Sequence, residues 1–201
     1  MILKTKRLIL RAPRKSDWKD IVEGVKDKAV SSMLLVVPHP YKKKDALWWI
    51  NRTIKKWKKT KKEDYSFVIE LKSEKKVIGV TSIHHVDEQS KKCDTGSWIN
   101  KKYWRKGYIL EAKIPILDFA FNKLKLRKIE TSAFVENVAS NKMSLKLGFK
   151  REGLKRKAIV SKATGKVHDE NIYGLLKAEW KKVRYKLIKE VEKKIKNDKK
   201  S

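Results

Sequence analysis

The stretch that most constrains this chain is Tyr103-Trp104-Arg105-Lys106-Gly107-Tyr108, which joins two different periodicities. Upstream, Thr95 to Ile99 reads as a short buried strand. Downstream, Ile109, Ala112, Ile116, Phe119 and Ala120 recur at helical spacing. A strand that ends in a basic, glycine-containing turn and opens into a helix presents free backbone N–H groups at a positive helix terminus. That geometry suits an anion, above all a pyrophosphate. The same stretch also reads as a plain strand-to-helix turn with incidental basic residues.

The elements on either side set the fold class. Arg7 to Arg11 alternates as an opening strand that stops at Pro13. Ser16-Asp17-Trp18 reads as a helix start, with Ser16 as cap and Ile21, Val22 and Val25 buried. After Pro38-His39-Pro40, a helix from about Lys43 carries Ala46, Leu47, Ile50, Ile54 and Trp57 on one face. Tyr65 to Leu71 and Val77 to His85 flank a polar turn and read as a hairpin, and Cys93 to Asn100 is the strand feeding the basic turn. Past the central helix, in which Pro115 is expected to cause a kink, Lys128 to Val135 reads as a strand. Asn137 to Leu147 is a short helix closed by Gly148. Phe149 to Val160 and Lys166 to Leu176 form a closing strand pair. The order, β-α-α-β-β-β-α-β-α-β-β, predicts a mixed α/β fold with mostly antiparallel strands and βαβ-like crossings near residues 107 and 137. Ala178 to Ser201 adds a basic helix with Trp180, Val183, Leu187, Val191 and Ile195 in one stripe. The expected organisation is one domain over residues 1–177 with a helical extension over 178–201, which docks on the domain, pairs with another copy, lies on a membrane or grips RNA.

Four of these patterns, taken in order, resemble the GNAT acetyltransferases, in the branch that includes the RimJ/RimL ribosomal-protein N-terminal acetyltransferases. The resemblance runs from Lys4 to about Trp180. Thr5 to Arg11 is similar to the branch's first strand. Trp98-Ile99, Tyr103 to Tyr108 and Glu111-Ala112 resemble its acetyl-CoA loop. Glu136 to Ser140, running on to Lys146-Leu147-Gly148-Phe149, resembles its N-x-x-S helix, and His168-Asp169 with Tyr173 its last strand. The resemblance implies a twisted, mostly antiparallel sheet splayed to admit acetyl-CoA, and direct transfer of acetyl to a primary amine in a ternary complex.

Site residues follow from the same resemblance. Arg105, Lys106, Gly107, Tyr108 and Ile109 fall on the pyrophosphate turn, where Trp104 and Ile109 depart from the general consensus and Gly107 permits close approach of backbone to phosphate. The backbone of Trp98, Ile99 and Asn100 is expected to pair with the pantetheine arm and hold the acetyl carbonyl, where an N–H stabilises the oxyanion. Gly96 in that strand suggests a bulge or a close approach. Amine acetylation needs a base and an acid for the thiolate. Asp94 is the candidate base or water relay, or else a surface carboxylate. Ser140 is the candidate acid and Asn137 orients the pantetheine amides or a water, and both also read as capping residues of the helix that Asn137 begins. His168 reads as a base near the acceptor pocket or as a hydrogen-bonded structural residue.

Composition narrows the partners. A formal net charge of +30 over 201 residues attracts polyanions such as RNA, or reflects a Lys-rich codon bias. It disfavours a polyamine acceptor at long range. The acceptor is expected to be a protein N-terminal α-amine of ribosomal type, with a small amine such as a polyamine or antibiotic as the alternative. A basic RNA- or ribosome-binding protein with a degenerate acetyl-CoA site is a third reading. His84-His85 have no spaced carboxylate or Cys partner, so no metal is expected. The single Cys93 fits a reducing interior. No apolar run approaches the roughly 20 residues that span a bilayer, and Met1 to Lys4 lacks a signal-peptide core, so a cytoplasmic location is expected, with a homodimer open.

Overall fold

A computed structural model describes residues 1–60 and 63–198. The chain begins with a hairpin, β1 (Ile2–Lys4) and β2 (Leu8–Arg11), so the expected first strand has a short partner. Helix α1 (Trp18–Val25) follows a single 3-10 turn. Asp17, not Ser16, secures this start: its carboxylate accepts the Arg14 N–H at 2.7 Å and is gripped by the Arg11 guanidinium at 2.8 and 2.9 Å. A one-turn α2 (Lys28–Ser31) and the longer α3 (Lys43–Lys58) complete the first helical layer.

Strands β3 (Tyr65–Leu71), β4 (Lys76–Asp87) and β5 (Lys92–Ile99) continue the sheet as an antiparallel meander. Helix α4 (Tyr108–Asp118) then crosses to β6 (Lys128–Phe134). The expected kink at Pro115 is not where the ladder changes: α4 runs through Pro115 and passes into a π turn over Phe119–Lys123. Helix α5 (Val138–Lys146), β7 (Lys150–Val160), β8 (Val167–Leu176) and α6 (Lys177–Asn197) close the chain. The sheet order is β1-β2-β3-β4-β5-β6-β8-β7, and every neighbouring pair is antiparallel except β5–β6. The mixed α/β, mostly antiparallel architecture expected from the sequence is the one observed.

Two cores hold the layers together. On one face, Ile21 of α1 and Ala46 and Ile50 of α3 pack against Val68, Val77 and Val80. On the other, α4 lies on the sheet with α6 against it, and Trp180, Leu187, Val191 and Ile195 of α6 are buried in the larger core. Truncating any one of these to Ala would cost about 2–5 kcal/mol. The final basic helix is therefore part of the packed interior, although residues 199–201 lie outside the described residues.

The sheet is interrupted at its centre. β5 and β6 are paired only through Lys92, Cys93 and Asp94 against Lys128, Ile129 and Glu130. One further contact, from the Thr131 hydroxyl to the Thr95 carbonyl at 2.8 Å, precedes the divergence of the two strands. β4 and β5, by contrast, are pressed close. A Cβ on Gly79 would stand 2.4 Å from the Trp98 carbonyl oxygen, which only glycine allows.

Candidate active site

The basic turn is built by its own backbone. Asn100 accepts the Lys102 N–H at 3.0 Å and starts a 3-10 turn over Lys101–Tyr103. The Trp104 indole then donates to the Ile99 carbonyl at 2.9 Å. Arg105 (φ 62°) and Gly107 (φ 77°) both take left-handed conformations and curl the chain into the first turn of α4. The first helical hydrogen bond runs from Glu111 N–H to the Gly107 carbonyl at 3.0 Å, so the amides of Tyr108, Ile109 and Leu110 precede it. Unpaired amides at a positive helix terminus, among Arg105, Lys106 and Arg7, make a cradle with the chemistry to suit an anion.

Residues far away in sequence brace that cradle. Glu111, almost fully buried, accepts from the Thr5 hydroxyl at 2.5 Å, the Arg7 N–H at 2.8 Å and Arg7 Nε at 2.7 Å. Arg7 also donates to the Lys106 carbonyl at 3.0 Å and lies 4.3 Å over the Tyr108 ring. From α6, Lys194 donates to the Arg105 carbonyl, and its Cδ stands 2.9 Å from where a Cβ on Gly107 would be. Sequence reading missed these supports because no local signal links them to the turn.

From the cradle a cavity of about 850 Å³ runs through the divergence of β5 and β6 to the α1–α3 side of the sheet. Arg105, Gly107, Tyr108, Ile109, Trp98, Ile99, Asn137 and Ser140 line it, so the structure brings these expected residues together. Two others stand beside it: Lys106, whose side chain rests 5.8 Å over the Tyr103 ring, and Asn100, whose N–H donates to Ile78 at 2.8 Å. With Asn100 turned to β4 and the Trp98 carbonyl against Gly79, ladder alternation leaves Ser97 and Ile99 facing the divergence. The expectation for Trp98 to Asn100 narrows accordingly. Gly96 is neither bulged nor crowded: it pairs in register with Ser82 and has open space where a side chain would be. Asn137 caps α5, accepting the Ser140 N–H at 3.1 Å, which leaves the Ser140 hydroxyl uncommitted at the cavity.

The candidate base is placed differently. Asp94 does not line the cavity; its carboxylate accepts from His85 Nδ1 at 2.7 Å and is nearly half exposed. His85 (φ 50°) sits at an irregularity in the β4–β5 pairing, and that twist delivers its ring to Asp94. His168 lies outside the cavity too, stacked on Phe134 at 4.1 Å with Nδ1 bound to Glu136. Tyr173 donates to Asn141 at 2.7 Å and is structural.

Three further titratable groups have their pKa values shifted by burial. His84 lines the cavity and contacts Asp64 through Nδ1 at 3.2 Å; burial lowers its pKa, against the pull of Asp64. Lys113, fully buried on α4, donates to Thr95 Oγ1 at 2.9 Å and the Gly96 carbonyl at 3.2 Å, and burial lowers its pKa to about 7. Burial pushes the Cys93 thiol up to about 12, so it stays protonated. Among the described residues no cluster of His, Cys, Asp or Glu is suited to a metal, and no helix is long and apolar enough to cross a membrane.

A model of the acetyltransferase (GNAT) domain matches residues 7–150, most of the chain and all of the cradle. The chain belongs to the GNAT acetyltransferase family. It is 29% identical over 182 residues to the uncharacterized N-acetyltransferase YnaD of Bacillus subtilis, covering 90% of this chain and 99% of YnaD. It is 26% identical over 94 residues to the ribosomal-protein-serine acetyltransferase of Escherichia coli, covering 47% of this chain and 52% of that protein. Relatives at 30–34% identity are spanned over 56–64% of their own length. A crystal structure of a GNAT-family acetyltransferase from Bacillus anthracis superposes with a TM-score of 0.74 at 26% identity, covering 88% of this chain and 98% of that one.

Proposed function

We propose that this GNAT chain transfers acetyl from acetyl-CoA to a peptide α-amine of the ribosomal-protein type. The observation that carries the acceptor class is the chemistry of the cavity wall. On the acceptor side the wall is apolar, with Val25, Met33, Val37, Tyr41 and Trp49. The one carboxylate lining the cavity among the described residues is Glu190, at the donor end and tied to Lys146. A wall without acidic groups gives no counter-charge to a polyamine or aminoglycoside. It suits an amine that is readily neutral. At pH 7 about a tenth of α-amines carry a free lone pair, against fewer than about one in a thousand lysine-like amines. The E. coli relative is named for acetylating a ribosomal-protein serine, which agrees with this class.

In this reading Arg105 to Ile109 cradle the CoA phosphates, with Gly107 allowing the close approach. The β5 backbone at Ser97 and Ile99, beside Trp98, holds the arm and the acetyl oxygen, and Asn137 orients it. The Ser140 hydroxyl gives its proton to the leaving thiolate. A neutral, buried Cys93 speaks for direct attack over an acyl-enzyme. The test is thiol release from acetyl-CoA with peptides starting in Ser, Ala, Met and Leu, against spermidine and an aminoglycoside. Peptides are expected to have the higher kcat/KM; preference for spermidine or the aminoglycoside would reject the α-amine assignment.

A further inference from the structure

With Asp94 outside the cavity, the proton of the acceptor ammonium needs another destination. We propose that His84, held by Asp64, takes it. The inference rests on the acetyltransferase reading above and names a residue that reading lacks.

The β4–β5 register places His84 correctly. Ser82 faces Gly96 and His84 faces Asp94 across the ladder, and directly opposed residues share a side of the sheet. His84 therefore projects from the same side as Ser82, beside the open space left by Gly96, and both histidine and serine line the cavity. Lys113 does not compete for this role. It lines the cavity from the α4 side, reaching Thr95, which pairs with Ile83 and so faces away from His84.

The surroundings of His84 set its tautomer. Asp64 Oδ1 receives Nδ1 at 3.2 Å and also the His85 N–H at 3.4 Å, while its Oδ2 binds Lys56 of α3. Hydrogen bonds from Lys56 and His84 outweigh burial and keep the Asp64 carboxyl below its usual pKa, hence ionised. An ionised carboxylate on Nδ1 fixes the proton there and leaves the Nε2 lone pair as the base. The other charged groups facing the ring are Lys56, His85 and Asp94; Asp94 is engaged by His85. Burial, helped by Lys56 and His85, keeps the imidazole neutral at pH 7 despite Asp64.

The step balances without another reactant. The acceptor R–NH3⁺ gives one proton to His84 Nε2, directly or through one water. The freed lone pair attacks the acetyl carbonyl, the C–N bond forms and the C–S bond breaks. The second nitrogen proton leaves as the amide forms, restoring the proton that Ser140 gives the thiolate. His84 returns its proton to solvent.

The experiment compares His84→Gln, Asp64→Asn and Asp94→Asn with the wild type on whichever amine of the peptide, spermidine and aminoglycoside panel the wild type acetylates fastest. His84→Gln is expected to lower kcat/KM at pH 7 by about a hundredfold or more, with acetyl-CoA affinity by calorimetry unchanged. The gap should narrow near pH 9, where an α-amine is already neutral. Asp64→Asn should show a smaller loss with the same pH dependence, and Asp94→Asn little. A His84→Gln enzyme with wild-type kcat/KM at pH 7, or a larger loss in Asp94→Asn, overturns the proposal. Nitrogen-15 NMR of labelled imidazoles, with His84→Gln to assign the signal, reads the same point without turnover. An Nδ1–H tautomer titrating below the ordinary histidine pKa is expected, and an Nε2–H tautomer refutes the assignment. Failure of the α-amine reading shows separately, in the wild-type preference; if the wild type turns over no amine on the panel, the tautomer decides.

Discussion

Arg7 donates both its backbone N–H and its Nε to Glu111, at 2.8 and 2.7 Å, across 104 residues of chain. That pair welds the start of β2 to the first turn of α4, and through the Lys106 carbonyl to the anion cradle itself. Glu111→Gln would leave a mostly buried guanidinium with only the half-exposed Asp198, at 2.8 Å, as counter-charge. The expected loss is about 3 kcal/mol of stability, with weaker acetyl-CoA binding in calorimetry. Arg7→Gln together with Glu111→Gln should recover part of the stability and none of the binding.

Gly107→Ala tests the cradle directly. A left-handed φ of 77° strains any side chain, at a cost of about 1 kcal/mol or somewhat more. The added methyl also meets the Lys194 chain, which is flexible enough to give way. Stability should fall slightly in urea titrations while acetyl-CoA affinity falls about tenfold or more, as displaced backbone amides lose their hold on phosphate.

Ser140 and Asn137 separate by the kind of damage. Asn137→Ala removes the α5 cap and should cost about 1 kcal/mol of stability along with activity. Ser140→Ala touches no cap, because the bond there uses the Ser140 backbone N–H. It should leave urea midpoints and acetyl-CoA affinity unchanged and lower kcat about tenfold to a hundredfold. Equal kcat in Ser140→Ala and the wild type would remove Ser140 from the chemistry.

Lys113 predicts a pH-dependent stability. Its pKa is about 7 in the fold against an ordinary 10.5. The unfolded chain thus binds more protons between these values, and stability falls as pH drops from above 10 toward 7. Lys113→Met removes that slope and should stabilise the protein at pH 7 by about 2–4 kcal/mol, less what the lost hydrogen bonds supplied. Denaturant titrations at pH 7 and 9 measure it; a variant less stable than the wild type at both would show that burial does not dominate.

Local chemistry explains what could be read from the sequence. Gly107 between basic residues, Asn137 three residues before Ser140 and the apolar stripe of α6 each announce themselves within one turn of helix. Arg7, Glu111 and Lys194 do not, because their roles exist only once β2, α4 and α6 meet. Asp94 shows the converse case. Its place on β5 is legible in the sequence, but the twist at His85 that captures its carboxylate is not. The Asp64–His84 contact joins a loop to a strand 20 residues on, and neither residue type is unusual where it stands. At Pro115 the helix continues, and the change of ladder comes after Asp118, in a π turn that no residue type in the sequence marks.

The three-residue seam between β5 and β6 has a thermodynamic consequence. Backbone groups that a neighbouring strand would satisfy are left to whatever enters the gap, so occupancy restores rungs to the ladder. Binding and folding then draw on the same hydrogen bonds. A saturating cosubstrate, at a hundred times its Kd, would raise unfolding stability by about 2.7 kcal/mol, and amide exchange should slow most at Ser97 and Ile99. If the gap holds the cosubstrate as proposed, the two halves of the sheet would be joined by more than their three-residue seam only while it is bound.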